Sequence, residues 1–133
     1  MITNKHWEFM DGLEDKEYRR VFAEEHVGTG LAFQIRRMRE ARGWTQEEIA
    51  QRTEKAQETI SQWENPSYGR YSLSTLKQLA AAFDVALLVR LVSFSELADW
   101  TVDVNPQRLT PPGYEEERQM PIWRVVGAGG PDA

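Results

Sequence analysis

The sequence predicts a mainly α fold: a small helical bundle with an N-terminal extra helix and a C-terminal β-strand extension. Three observations carry this expectation. Apolar residues recur at helical spacing between Leu31 and Phe83, punctuated by helix starts and stops. A separate helical pattern precedes Gly28. The texture then changes at Val85 to an apolar, β-branched run. At 133 residues and 41% hydrophobic, the chain is large enough for one compact domain with extensions.

Residues 1–12 are polar with scattered aromatics and read as a loose lead-in. From Leu13 to about His26, Leu13, Glu17, Val21 and Ala23–Glu24 fall near one face, with Tyr18 and Phe22 beside them. Gly28 and Gly30 are expected to break the chain there. A second helix follows from about Thr29 to Arg42. Its Leu31, Ile35 and Met38 form one apolar stripe flanked by Arg36, Arg37, Arg39 and Arg42. Gly43 suits the left-handed turn just past a helix end.

Thr45-Gln46-Glu47-Glu48 reads as a capping box, in which the Thr hydroxyl caps and Glu48 reaches back. It opens a short helix, Gln46 to about Arg52, that buries Ile49 and Ala50. A second short helix, Gln57 to Glu64, buries Ile60 and Trp63 before Asn65-Pro66 stops it. Ser72 caps a further helix carrying Leu73, Leu76, Leu79, Ala80 and Phe83.

Two short helices joined by a tight turn, with a helix before and after, is a helix-turn-helix plan. The residues Thr45-Gln46-x-x-Ile49-Ala50, Thr59-Ile60-Ser61-x-Trp63-Glu64 and Ser72-Leu73-x-Thr75-Leu76-x-x-Leu79-Ala80 resemble the Cro/cI-like (XRE) family. The resemblance spans about residues 31–84. It implies a lambda-repressor-like helix-turn-helix bundle whose second short helix enters the DNA major groove. Gln57, Glu58, Ser61 and Gln62 match base-facing positions of that family. Their chemistry agrees, since Gln can bond adenine in a bidentate manner and Glu can accept from the cytosine amino group. Thr45 and Gln46 match phosphate-binding positions at a helix N-terminus. Arg39 and Glu64 match a structural pair that ties the first helix to the recognition helix.

The sequence departs from the family at the turn. Glu54 stands where glycine is usual, Lys55 where an apolar residue is usual, and Ala56 where a Ser or Thr cap is usual. A non-glycine residue at positive φ is strained, and a lost cap costs about 1 kcal/mol.

Charge is distributed in a way that fits. The net charge is −5, but residues 31–83 carry +2 against −3 before and −4 after. A mildly basic middle can grip phosphates if its cations share a face. Arg37, Arg42 and Arg70 are the phosphate candidates, with Arg36 and Lys77 beside them; for each, a solvated surface role stands next to the functional one.

Four segments are therefore expected. They are an extension with one helix (1–28), the DNA-binding domain (29–84), a strand and short helix for dimerisation (85–100), and a Pro-containing, partly disordered tail (101–133). In the strand, Leu87, Val89 and Leu91 point one way, and Leu88, Arg90 and Val92 the other. Leu87, Val89, Leu91 and Val92 are the dimerisation candidates. Pairing with a second protomer and pairing in the chain with a short strand Ile122–Val126 are both open.

Other chemistry is weak. There is no cysteine, which fits a reducing cytoplasm, and no secretory or membrane-spanning segment is expected. His26, Glu24 and Glu25 do not share a helix face, so no metal is expected. Gly127-Ala128-Gly129-Gly130 is not framed by a strand and a helix, so it is no phosphate loop. No enzyme activity and no cofactor are expected. The leading function is a transcriptional repressor that binds double-stranded DNA as a homodimer. The alternative is an antitoxin that binds its own promoter and a toxin protein through the acidic flanks.

Overall fold

The computed structural model describes residues 4–102 and 106–120. Its helices are α1 (Asn4–Gly12), α2 (Lys16–Ala41), α3 (Gln46–Thr53), α4 (Gln57–Trp63), α5 (Leu73–Phe83), α6 (Phe94–Val102) and α7 (Tyr114–Arg118). A 3-10 helix, Pro106–Leu109, lies before α7. No strand occurs among the described residues, and no helix among them is long and apolar enough to cross a membrane.

The first correction concerns α2. Two helices separated at Gly28 and Gly30 were expected, but α2 runs unbroken for 26 residues. The Asp15 carboxylate starts it by accepting from the Tyr18 N–H at 2.8 Å. Gly28 is a packing residue here: a Cβ on it would lie 3.1 Å from the Gly69 Cα. Its bare backbone lets the loop after α4 close onto α2, which offsets the roughly 1 kcal/mol that glycine costs inside a helix. Gly43 ends the helix region at φ +71 as its position predicts.

The expected loose lead-in also differs. Residues 4–12 of it form α1, which packs against α6. Leu13 and Ala98 are buried in this part of the molecule, and the Phe9 and Phe22 rings meet edge to face at 5.2 Å. The Arg19 guanidinium donates to the Leu13 and Glu14 carbonyls, satisfying acceptors just after α1.

The main core lies between α2, α3, α4 and α5. Ile35, Met38, Ile49, Ala50, Ile60, Trp63, Leu79 and Phe83 form it, with Trp44, Tyr68, Tyr71 and Val85 at its edge. These are the residues whose 3.6-residue spacing defines the apolar stripes. Trp44 stacks on Phe83 at 5.6 Å, which seals the end of the core beneath Arg42. Ser72 caps α5 by accepting from the Thr75 N–H at 3.1 Å.

The second correction concerns residues 85–93. They were expected to form a strand, and they form no regular element. Strand hydrogen bonds need a neighbouring strand, and the described fold offers only helices. The short strand expected at Ile122–Val126 lies outside the described residues. Ser93 instead starts α6, its hydroxyl accepting from the Glu96 N–H at 3.2 Å.

Part of the tail is helical, over Pro106–Leu109 and Tyr114–Arg118. The Tyr114 N–H donates to the Asp84 carbonyl at 2.9 Å, which fastens the start of α7 to the end of α5. Gly113 fits there because even a Cβ would come within 3.3 Å of the Phe83 carbonyl.

Candidate nucleic-acid interface

The α3–turn–α4 unit is built from local rules that the sequence states openly. Thr45 caps α3 by accepting from the Glu48 N–H at 3.1 Å. The Thr53 hydroxyl, buried, returns its hydrogen bond to the Ile49 carbonyl at 2.8 Å. Glu54 then takes the left-handed conformation, φ 56 and ψ 39. The chain reverses there in spite of the missing glycine, so the turn keeps its geometry and carries the strain of a β-carbon at positive φ. The Lys55 N–H closes the turn onto the Ala50 carbonyl at 2.9 Å. Ala56 occupies the N-cap of α4 with no side-chain cap.

The core decides which face of α4 looks outward. Ile60 and Trp63 are buried, so Gln57, Glu58, Ser61 and Gln62 are turned to solvent. All four carry hydrogen-bonding side chains. That surface can form directional contacts with base edges.

An internal chain of polar bonds holds this face in place. The Arg39 guanidinium grips the Glu64 carboxylate through two bonds, at 2.6 and 3.0 Å. Its third nitrogen donates to the Trp44 carbonyl at 2.9 Å. The side chains of the pair are only 14% and 5% exposed. The hydrogen bond to Glu64 raises the Arg39 pKa against the opposing effect of burial. Gln46 extends the chain, donating to Glu64 at 3.3 Å and accepting from Gln57 at 3.4 Å. The ion pair between α2 and the end of α4 is thereby linked, through α3, to the first residue of the outward face.

Tyr71 is a brace whose role the sequence did not announce. Its hydroxyl donates to the Trp63 carbonyl at the end of α4. Burial pushes its phenol up to about 12. Tyr68 meets its ring edge to face at 5.0 Å. Only the return of the loop past α4 brings these rings to the carbonyl.

Among the cations, Arg37 and Arg70 are exposed, as is Lys77, while Arg36 pairs with Glu40 at 3.5 Å. Arg42 is a correction. Its guanidinium donates to the Phe83 carbonyl at 2.9 Å, and to those of Met38 and Pro111 at 3.4 Å. It also lies over the Phe83 and Trp44 rings, and desolvation lowers its pKa. Arg42 therefore ties the tail to the core and is not positioned as a free phosphate contact. Arg52, unremarked in the sequence, stacks 4.0 Å from the centre of the Trp44 ring.

The four dimerisation candidates, Leu87, Val89, Leu91 and Val92, are all exposed, Leu91 fully so. No group of three potential metal-binding side chains comes together among the described residues.

Residues 35–89 match a family model described as Helix-turn-helix. Comparison with curated proteins and with solved structures finds no match.

Proposed function

We propose that this protein is a transcriptional repressor of the Cro/cI-like helix-turn-helix type that reads a palindromic operator as a homodimer, a reading supported by the match of residues 35–89 to a helix-turn-helix family model. One observation carries the reading. The exposed face of α4 holds Gln57, Glu58, Ser61 and Gln62, while Ile60 and Trp63 fix its orientation from below.

In this reading α4 lies in the major groove. Gln57 and Gln62 bond adenine edges, and Glu58 accepts from a cytosine amino group. Ser61 is small enough to let the helix backbone approach. Thr45 and Gln46 meet the phosphates at the start of α3, with Arg37 and Arg70 supplying charge. Gln46 then has two tasks, since its amide already orients Gln57. The dimer is supported by residues 86–92, where exposed apolar side chains lie on a segment outside any helix that is free to pair with the same segment of a second copy. Two copies would set their α4 helices about one DNA turn apart, roughly 34 Å.

Selection of bound sequences from a random DNA pool, at two salt concentrations, tests this directly. The expected product is a two-fold symmetric motif whose affinity falls with salt. Gln57→Ala and Gln62→Ala should each lose about 1–3 kcal/mol of base discrimination at one position. Enrichment of no motif, or a motif unchanged in both variants, would sink the assignment.

A further inference from the structure

The N-terminal half of α2 turns a second face away from the helix-turn-helix. Phe22, His26, Gly30 and Phe33 follow one another along it at helical spacing. Trp100 of α6 and Arg108 of the 3-10 helix stand across from them. Between the two sides lies a hollow of about 580 Å³, within the range of small-molecule sites.

Its lining is unusual for a surface that serves only packing. Phe33 and Trp100 are 57% and 49% exposed, although each is large and apolar. Phe22 stacks with His26, their ring centres 6.0 Å apart, so the wall offers flat faces. Gly30 borders the hollow, and a Cβ there would meet nothing within 4 Å. Alanine would fit and would favour the helix, so packing does not require glycine at this position.

Arg108 sets the charge preference. Its guanidinium carbon lies 4.5 Å from the centre of the Trp100 ring. Stacking uses the face of the guanidinium and leaves its in-plane N–H groups available as a fork for a carboxylate. No carboxylate pairs with Arg108 among the described residues. Glu25 is the one acid in the lining, and it makes the sign of the ligand charge a decisive test.

We infer that this hollow binds a small planar aromatic carboxylate, its ring against Phe33 and Trp100 and its carboxylate on Arg108. The site is separate from the DNA-reading face and does not depend on that function.

Calorimetric titration of the full chain with 2-naphthoate, 2-naphthylmethanol and 2-naphthylmethylammonium tests it. The expected result is saturable binding of 2-naphthoate at one site per chain, with the alcohol about tenfold weaker for want of a charge-assisted bond. Arg108→Gln should bring 2-naphthoate down to the level of the alcohol and leave the alcohol unchanged. Phe33→Ala should weaken both. Both side chains are exposed, so circular dichroism of the variants should match the parent. The inference is overturned if 2-naphthoate gives no saturable binding. It is equally overturned if the ammonium binds more tightly than the carboxylate, or if Arg108→Gln keeps the parent's preference.

Discussion

The core of the helix-turn-helix and the segment 86–92 are both rich in large aliphatic side chains, yet one buries them and the other displays them. Ile49 and Ile60 are completely buried, whereas Leu88 and Leu91 are among the most exposed residues of their type. The difference is one of arrangement. In α2 to α5 the apolar residues recur every three or four positions, so each helix offers one stripe and the stripes meet. In 86–92 they are consecutive, so an extended chain sends them to both sides at once. A helix satisfies its backbone by itself and needs only a neighbour's apolar face. An extended segment needs another strand's hydrogen bonds as well, and the described helices have none to give.

Polar groups sharpen the contrast. The core tolerates Glu64 because Arg39 and Gln46 satisfy it; Arg90, in 86–92, pairs with Glu96 while more than half exposed. The largest expected effect follows. Glu64→Ala should destabilise the fold by about 3–5 kcal/mol in urea denaturation, because it strands a buried guanidinium. Replacing Arg39 and Glu64 together by Met and Leu should recover much of that loss. Full destabilisation in the double variant would show that geometry, not the uncompensated charge, is at stake.

Next in size is the direct comparison of aliphatic residues. Ile49→Ala should cost about 2–5 kcal/mol. Leu91→Ala should stay within about 0.5 kcal/mol at protein concentrations where the chain is monomeric. If 86–92 pairs two copies, the melting temperature of the parent rises with concentration and that of Leu91→Asp does not. Equal slopes for the two would remove this segment from any dimer.

Smaller again is the turn. Glu54→Gly should stabilise the protein by about 1 kcal/mol, as it relieves the positive φ at that residue. No gain in thermal denaturation would mean that the Glu54 side chain contributes something of its own.

The last effect, confined to alkaline pH and absent under neutral conditions, belongs to Tyr71. A free tyrosine ionises near 10, and in the folded chain its pKa is about 12. The folded state therefore holds this proton more tightly than the unfolded state. Its contribution is complete below about pH 10 and is lost as the pH rises towards about 12. Tyr71→Phe should flatten the stability–pH curve in that window relative to the parent.

Much of the site was legible beforehand because it is local. The Thr45 cap, the burial of Ile60 and Trp63, and hence the outward turn of Gln57, Glu58, Ser61 and Gln62 all follow from short-range spacing. The reversal at Glu54 was legible as a demand for positive φ, though not whether glutamate would meet it. The withdrawal of Arg42 was not legible, since its acceptors lie 41 and 69 residues away. The unbroken α2 was not legible either, because glycine looks like a breaker until Gly69 is seen against Gly28.

The sequence by itself determined the helices of the central bundle, their caps and the face each one buries, because those depend on neighbours within about four residues. Tertiary structure alone decided three things. It decided that α2 continues through its glycines, that 85–93 forms no strand for want of a strand partner, and that Arg42 and Tyr71 serve the framework. In each case the deciding partner is a backbone group beyond the reach of helical spacing, or one that the described fold does not supply, and residue spacing carries no record of either.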